Sequence, residues 1–79
     1  MEDKVIKSIA ASLSMEEPAI RQNLTASLTT MPNVTNISMI ETVLNLEVAF
    51  GIEIPDEDTE ALVSVNDFIS YIKDNAPGA

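Results

Sequence analysis

Apolar residues recur at helical spacing in three stretches of the chain, separated by polar and proline-containing sequence. In the first, Val5, Ile6, Ile9, Ala10 and Leu13 share one face, with Glu2 and Asp3 at the end where carboxylates complement the helix dipole; the spacing predicts a helix from about Glu2 to Leu13. The second runs from Thr35 to Phe50. Ile37, Ile40, Val43, Leu44, Leu46 and Phe50 mark an inward face there, and Glu41 and Glu47 an exposed acidic side. The third opens on Ser64 as a cap with Asp67 three residues later, and Val63 and Phe68 are placed to staple across that cap. Val65, Phe68, Ile69 and Ile72 form its apolar face, Lys73 suits its last turn, and the residues from Asn75 read as a frayed tail.

The connections differ in character. Ser14 and Glu17 have the spacing of a capping box, but Pro18 interrupts it, so this stretch reads as a turn or at most one short helical turn. From Pro18 to Val34 the chain is rich in Thr, Ser and Asn, with sparse apolar residues at Ile20, Leu24, Leu28, Met31 and Val34. That is too long for a bare connection and predicts an ordered loop, with Leu28 the foremost anchor. No hairpin alternation supports a strand there. The second helix has three candidate caps, Thr35, Asn36 and Ser38, of which Ser38 with Glu41 has capping-box spacing; Gly51 is its natural left-handed terminator. After Ile52 and Ile54, which point inward from an extended link, Pro55 introduces a short acidic helical turn from Asp56 to Ala61.

Charge and composition then narrow the function. The net charge is −9, and eight carboxylates but no Lys or Arg lie between Arg21 and Lys73. Such a field repels nucleic acid and anionic lipid and suits basic protein partners; taken alone, a run of charge is also an ordinary solubility device. With neither Cys nor His, no thiolate site, histidine base or nucleophile–histidine triad can be assembled, and 79 residues leave little room for a substrate cavity. The expectation is no enzyme. The acids from Glu53 to Glu60 lack the ligand spacing and central glycine of a calcium loop, so no metal site is expected. No stretch has the form of a signal peptide or membrane span, which sets a cytoplasmic expectation and makes the three Asn-x-Ser/Thr sequons products of an Asn- and Thr-rich loop.

The segment IETVLNLEVAFGIEIPDED, Ile40 to Asp58, resembles the second helix and following loop of acyl carrier proteins, with the closing Phe50 and the Ile54-Pro55-acid signature. Helix order along nearly the whole chain is similar as well. The resemblance implies an all-α fold, a small four-helix bundle of three main helices plus a short third helix and a long first loop, as one domain over residues 1–79. It also implies a carrier of fatty-acid or polyketide-type metabolism. In that family the second helix opens with aspartate-serine-leucine, and the serine holds 4'-phosphopantetheine through a phosphodiester.

A gapless register puts Thr35, Asn36 and Ile37 on those three positions. An asparagine amide is a poor nucleophile and offers no hydroxyl, so this form is expected to carry no cofactor. Thr35 also replaces the aspartate, and Pro32-Asn33 stand where the family has leucine-glycine. Ser38 is an alternative attachment point, with a capping-box serine as its plain structural reading. By resemblance, Glu41, Glu47, Asp56, Glu57 and Glu60 would form a surface for the basic faces of acyl-transfer, synthase or phosphopantetheinyl transferase enzymes, around Thr35, Ile37 and Asn36. Met39, Leu44 and Val48 would add apolar contact, Val48 standing where the family commonly has an acid. A monomer that binds no nucleic acid and inserts into no membrane is expected. The alternative is a non-loading adaptor or regulatory protein that uses the same acidic face.

Overall fold

The computed structural model describes residues 2–31 and 34–76, and among these the chain is all-helical, with no strand. Helix α1, Glu2–Leu13, has the predicted bounds and buries the five predicted apolar residues. It ends in a tight turn: Ser14 takes a left-handed φ of 55°, and the Met15 N–H reaches back to the Ala10 carbonyl at 2.9 Å. Ser14 thus closes α1 and caps nothing. The next helix, α2 (Glu17–Arg21), starts after Glu16 with Pro18 in its first turn. Arg21 ties it to α1 through a 2.8 Å ion pair with Asp3, whose carboxyl is held below its usual range by that hydrogen bond and charge.

The long polar loop is ordered by the anchors its sequence offers. Ile20 and Leu28 are fully buried, and Leu24, Met31 and Val34 pack against the core around them. Leu28 opens a single 3-10 turn, Leu28–Thr30, and its N–H donates to the Val63 carbonyl at 2.7 Å; the Asn66 N–H donates to the Leu24 carbonyl at 3.0 Å. The loop is therefore stitched by its backbone to the start of the last helix. Pro32 and Asn33 lie outside the described residues.

Helix α3 spans Asn36–Phe50 and is capped by Thr35, whose hydroxyl accepts the Ser38 N–H at 3.1 Å. Gly51, at φ 65°, ends it. Two expectations are corrected here. Asn36 is the first helical residue and not the cap, and Ser38 sits in the third helical position, so the Ser38–Glu41 capping box does not form. The inward face also differs: Thr42 and Leu46 are buried, with Met39, Val43 and Phe50 packed beside them, whereas Ile37, Ile40 and Leu44 are exposed. Thr42 tolerates full burial because its hydroxyl donates to the Ser38 carbonyl one turn back, at 2.8 Å.

Helix α3 packs on α1. Asn45 donates to the Ser12 hydroxyl at 2.6 Å, and Lys4 donates to the Ala49 carbonyl at 2.9 Å with its ammonium 4.8 Å from the Phe50 ring centre. A cation at that helix end satisfies a free carbonyl and opposes the dipole. Short helix α4, Asp56–Thr59, follows the buried Ile54. Helix α5 runs Val65–Asn75 and opens on the predicted capping box: Ser64 accepts the Asp67 N–H, and the Asp67 carboxylate accepts the Ser64 N–H. Its four apolar residues, Val65, Phe68, Ile69 and Ile72, complete the core. Residues beyond Ala76 are outside those described.

Candidate functional site

The first turn of α3 gathers Thr35, Asn36, Ile37 and Ser38 at a helix N-terminus. Asn36 and Ile37 are exposed, the latter by 70%. Ser38 is half-buried, and its hydroxyl lies 3.1 Å from that of Thr35, which also receives the Ser38 N–H. The hydroxyl nearest the helix tip is thus engaged in the cap, and the side chain that projects from the tip is an amide.

About 16 Å further along α3, at a rise of 1.5 Å per residue, Glu47 lies half-buried. Its carboxylate accepts the Ile54 N–H at 3.0 Å, and its carbonyl accepts both the Gly51 and the Ile52 N–H. This corrects the placement of Glu47 on a freely exposed acidic face. It is the clamp that turns the chain from α3 toward α4. Glu41, by contrast, is exposed as expected.

Between α3 on one side and α4 and α5 on the other lies a cleft of about 230 Å³. Met39, Ile40, Val43, Leu44 and Glu47 form its α3 wall; Ile54, Leu62 and Phe68 form its apolar floor, and Asp56 and Thr59 stand on the α4 side. Of the expected contact residues, this brings together Met39, Leu44, Glu47 and Asp56. Glu57 and Glu60 are exposed outside the cleft, and Thr35, Asn36 and Ser38 do not line it. The α4 wall is latched by the Tyr71 hydroxyl, which donates to the Asp58 carboxylate at 2.9 Å; that bond, with burial, raises the tyrosine above its ordinary value of 10.0.

Sequence reasoning missed Ile40, Val43, Ile54, Thr59, Leu62 and Phe68 as cleft residues. It also assigned Ile40 to the core face. The available signal was that the outer side of α3 is only sparsely polar: beside the exposed Glu41, Ile37, Ile40, Leu44 and Val48 make a second apolar stripe, exposed by 70%, 59%, 54% and 85%.

No protein-family model matches the chain. Among curated proteins, the acyl carrier protein of Helicobacter acinonychis (strain Sheeba) is 48% identical over 40 residues, which is 51% of this chain and 51% of that protein. The acyl carrier proteins of Helicobacter pylori strains G27 and HPAG1 are each 45% identical over the same share of both chains. The chain is acyl-carrier-like. It spans about half the length of the curated relatives it matches. The helical bundle of this carrier-like chain agrees with that similarity. No helix among the described residues is long and apolar enough to cross a membrane, and no group of three or more potential metal-ligating side chains occurs among them.

Proposed function

We propose that this chain is a carrier-like protein of fatty-acid or polyketide-type metabolism that, in this form, stays free of phosphopantetheine. The observation that carries the reading is Asn36, exposed as the first residue of α3. The location suits a tether, but the chemistry does not. Attachment requires a hydroxyl oxygen that displaces a nucleotide from a phosphate, and the amide nitrogen of Asn36 has its lone pair delocalised into the carbonyl. Ser38 supplies an oxygen two residues on, but it is half-buried and hydrogen-bonded to Thr35. The residues of this turn do not fit the group. Intact mass after incubation with a broad-specificity phosphopantetheinyl transferase and coenzyme A should be unchanged. A gain that maps to Ser38 overturns the reading.

A second reading is favoured by the exposed apolar stripe of α3: an adaptor or regulatory protein that binds basic enzymes and transfers no acyl group. Glu41, Asp56, Glu57 and Glu60 are exposed and supply the acidic component. Reversal of Glu41 to Lys should weaken capture of partner enzymes if this role holds, and undiminished capture counts against it.

A further inference from the structure

The outward side of α3 is unlike the rest of this acidic chain. Seven residues of the helix are exposed, from Asn36 to Val48, and Glu41 is the single charge among them, although the chain as a whole carries −9. Four of the seven are the apolar Ile37, Ile40, Leu44 and Val48. At roughly 100° per residue, Leu44 and Val48 fall within about 20° of Ile37 around the helix, and Ile40 within about 60°. They form one strip roughly 16 Å long at 1.5 Å per residue. An unbroken exposed apolar strip marks an interaction surface, and the centre of an interface is depleted in charge, as this side is.

The spacing of the strip matches a second copy of itself. Laid antiparallel across a twofold axis, Ile40 meets Leu44 of the other copy and Leu44 meets its Ile40, while Ile37 and Val48 pair at both ends. Antiparallel helices also oppose their dipoles, which a parallel pair aligns. A basic partner would draw on Asp56, Glu57 and Glu60, but these belong to α4 and its end, not to this side of α3. An anionic lipid surface is repelled by the net charge.

We propose that this chain forms a weak homodimer by antiparallel pairing of α3 with α3 of a second copy, with Ile40 and Leu44 at the centre of the contact. Residue 41 lies close to the midpoint of the strip, so the two Glu41 carboxylates come together near the twofold axis and oppose the pairing. The strip supplies on the order of a few hundred Å² per copy, short of the roughly 800 Å² per partner of a stable complex. The dimer is therefore transient, with a Kd on the order of 100 µM. This goes beyond the proposed function and does not depend on whether residue 36 carries a cofactor.

Sedimentation equilibrium of the full chain from about 10 µM to 1 mM tests the pairing, and the mean mass should rise from one chain toward two. Association should tighten about fivefold as ionic strength rises from about 0.1 to 1 M, because the Debye length falls from about 10 to 3 Å and the like charges are screened. Glu41→Gln should tighten it about threefold. Leu44→Ala should weaken it about tenfold, because a twofold contact loses the side chain twice. Leu44 is 54% exposed, so that variant keeps its fold, which circular dichroism checks. The chain has no cysteine, so orientation can be read from single substitutions: Ile37→Cys mixed with Val48→Cys should form disulfide-linked dimers faster than either variant alone. A chain that stays monomeric at 1 mM and high salt, a dimer indifferent to Leu44→Ala, or association weakened by salt or by Glu41→Gln overturns the proposal. Faster linkage of Ile37→Cys to itself does the same. So does capture of a Lys-rich amphipathic helical peptide at Ile40 and Leu44 by a chain that itself remains monomeric, which gives the strip to a basic partner.

Discussion

Glu47 offers a sharp test because sequence and structure assign it different work. An exposed docking acid can be truncated with an effect within about 0.5 kcal/mol on stability. A clamp cannot. In the structure its carboxylate accepts the part-buried Ile54 N–H at 3.0 Å, and Ile54 itself is buried. A hydrogen bond to a charged group contributes about 1.5–3 kcal/mol, and orphaning a buried donor costs about 1–3 kcal/mol. Partial exposure of Glu47 puts the expected loss for Glu47→Ala near the lower end, about 1.5 kcal/mol. For a domain of this size that is a fall in Tm of about 6–12 °C. Removal of one negative charge from a chain of net charge −9 offsets part of the loss, so Glu47→Gln is the necessary companion. It removes the same charge and keeps an acceptor oxygen. Urea denaturation followed by circular dichroism should find the Gln variant more stable than the Ala variant by about 1 kcal/mol, even though Ala is the better helix former. Equal stability of the two refutes the clamp.

Two further outcomes probe the elements around the site. Leu28→Ala, which empties a fully buried position under the long loop, should destabilise by about 2–4 kcal/mol in urea denaturation and lower protection of the Leu28 and Asn66 amides in hydrogen exchange; a loss below about 1 kcal/mol would show that the loop is not anchored there. Tyr71, the sole tyrosine in a chain without tryptophan, reports on the latch. Its folded pKa is raised, so its contribution to stability is fully present below the unfolded value of 10.0 and is lost as pH rises through the folded one. Phenolate absorbance should therefore appear above pH 10.0 in the parent and at lower pH in Asp58→Asn, whereas coincident titrations would mean that α4 is not latched.

The helices whose ends carry explicit chemistry were legible residue by residue. Helix α1 has one polar and one apolar side, and α5 announces itself by Ser64 and Asp67, so period and capping agree. Helix α3 defeated the same method because its apolar residues fall on more than one side. A period of 3.6 then fits two stripes equally, and only packing on α1 decides that Thr42 and Leu46 turn inward while Ile40 and Leu44 turn out. Glu47 was misplaced for a related reason. Charge predicts exposure on average, but a carboxylate one helical turn before a helix-ending glycine finds an unpaired N–H across the turn. Ser14 shows the limit of spacing motifs: it stands three residues before a Glu, yet the chain needed a left-handed residue at the end of α1 and used this one. Loop anchoring was readable at Leu28, an apolar residue in a polar stretch, but its bond to the Val63 carbonyl is tertiary and has no local signature. At the candidate site, the sequence itself shows that residue 36 carries an amide and no hydroxyl. The cleft was not legible there, because its walls come from four separate segments.

The most direct measurement compares the parent chain with Asn36→Ser in one experiment: intact mass after exposure to phosphopantetheinyl transferase and coenzyme A. If the fold and the α3 tip are those of a carrier and only the hydroxyl is missing, the parent remains unmodified and the Ser variant gains one phosphopantetheine on residue 36. A parent chain that gains the group, or a Ser variant that does not, contradicts the claim that a single side chain at the start of α3 separates this protein from a loading carrier.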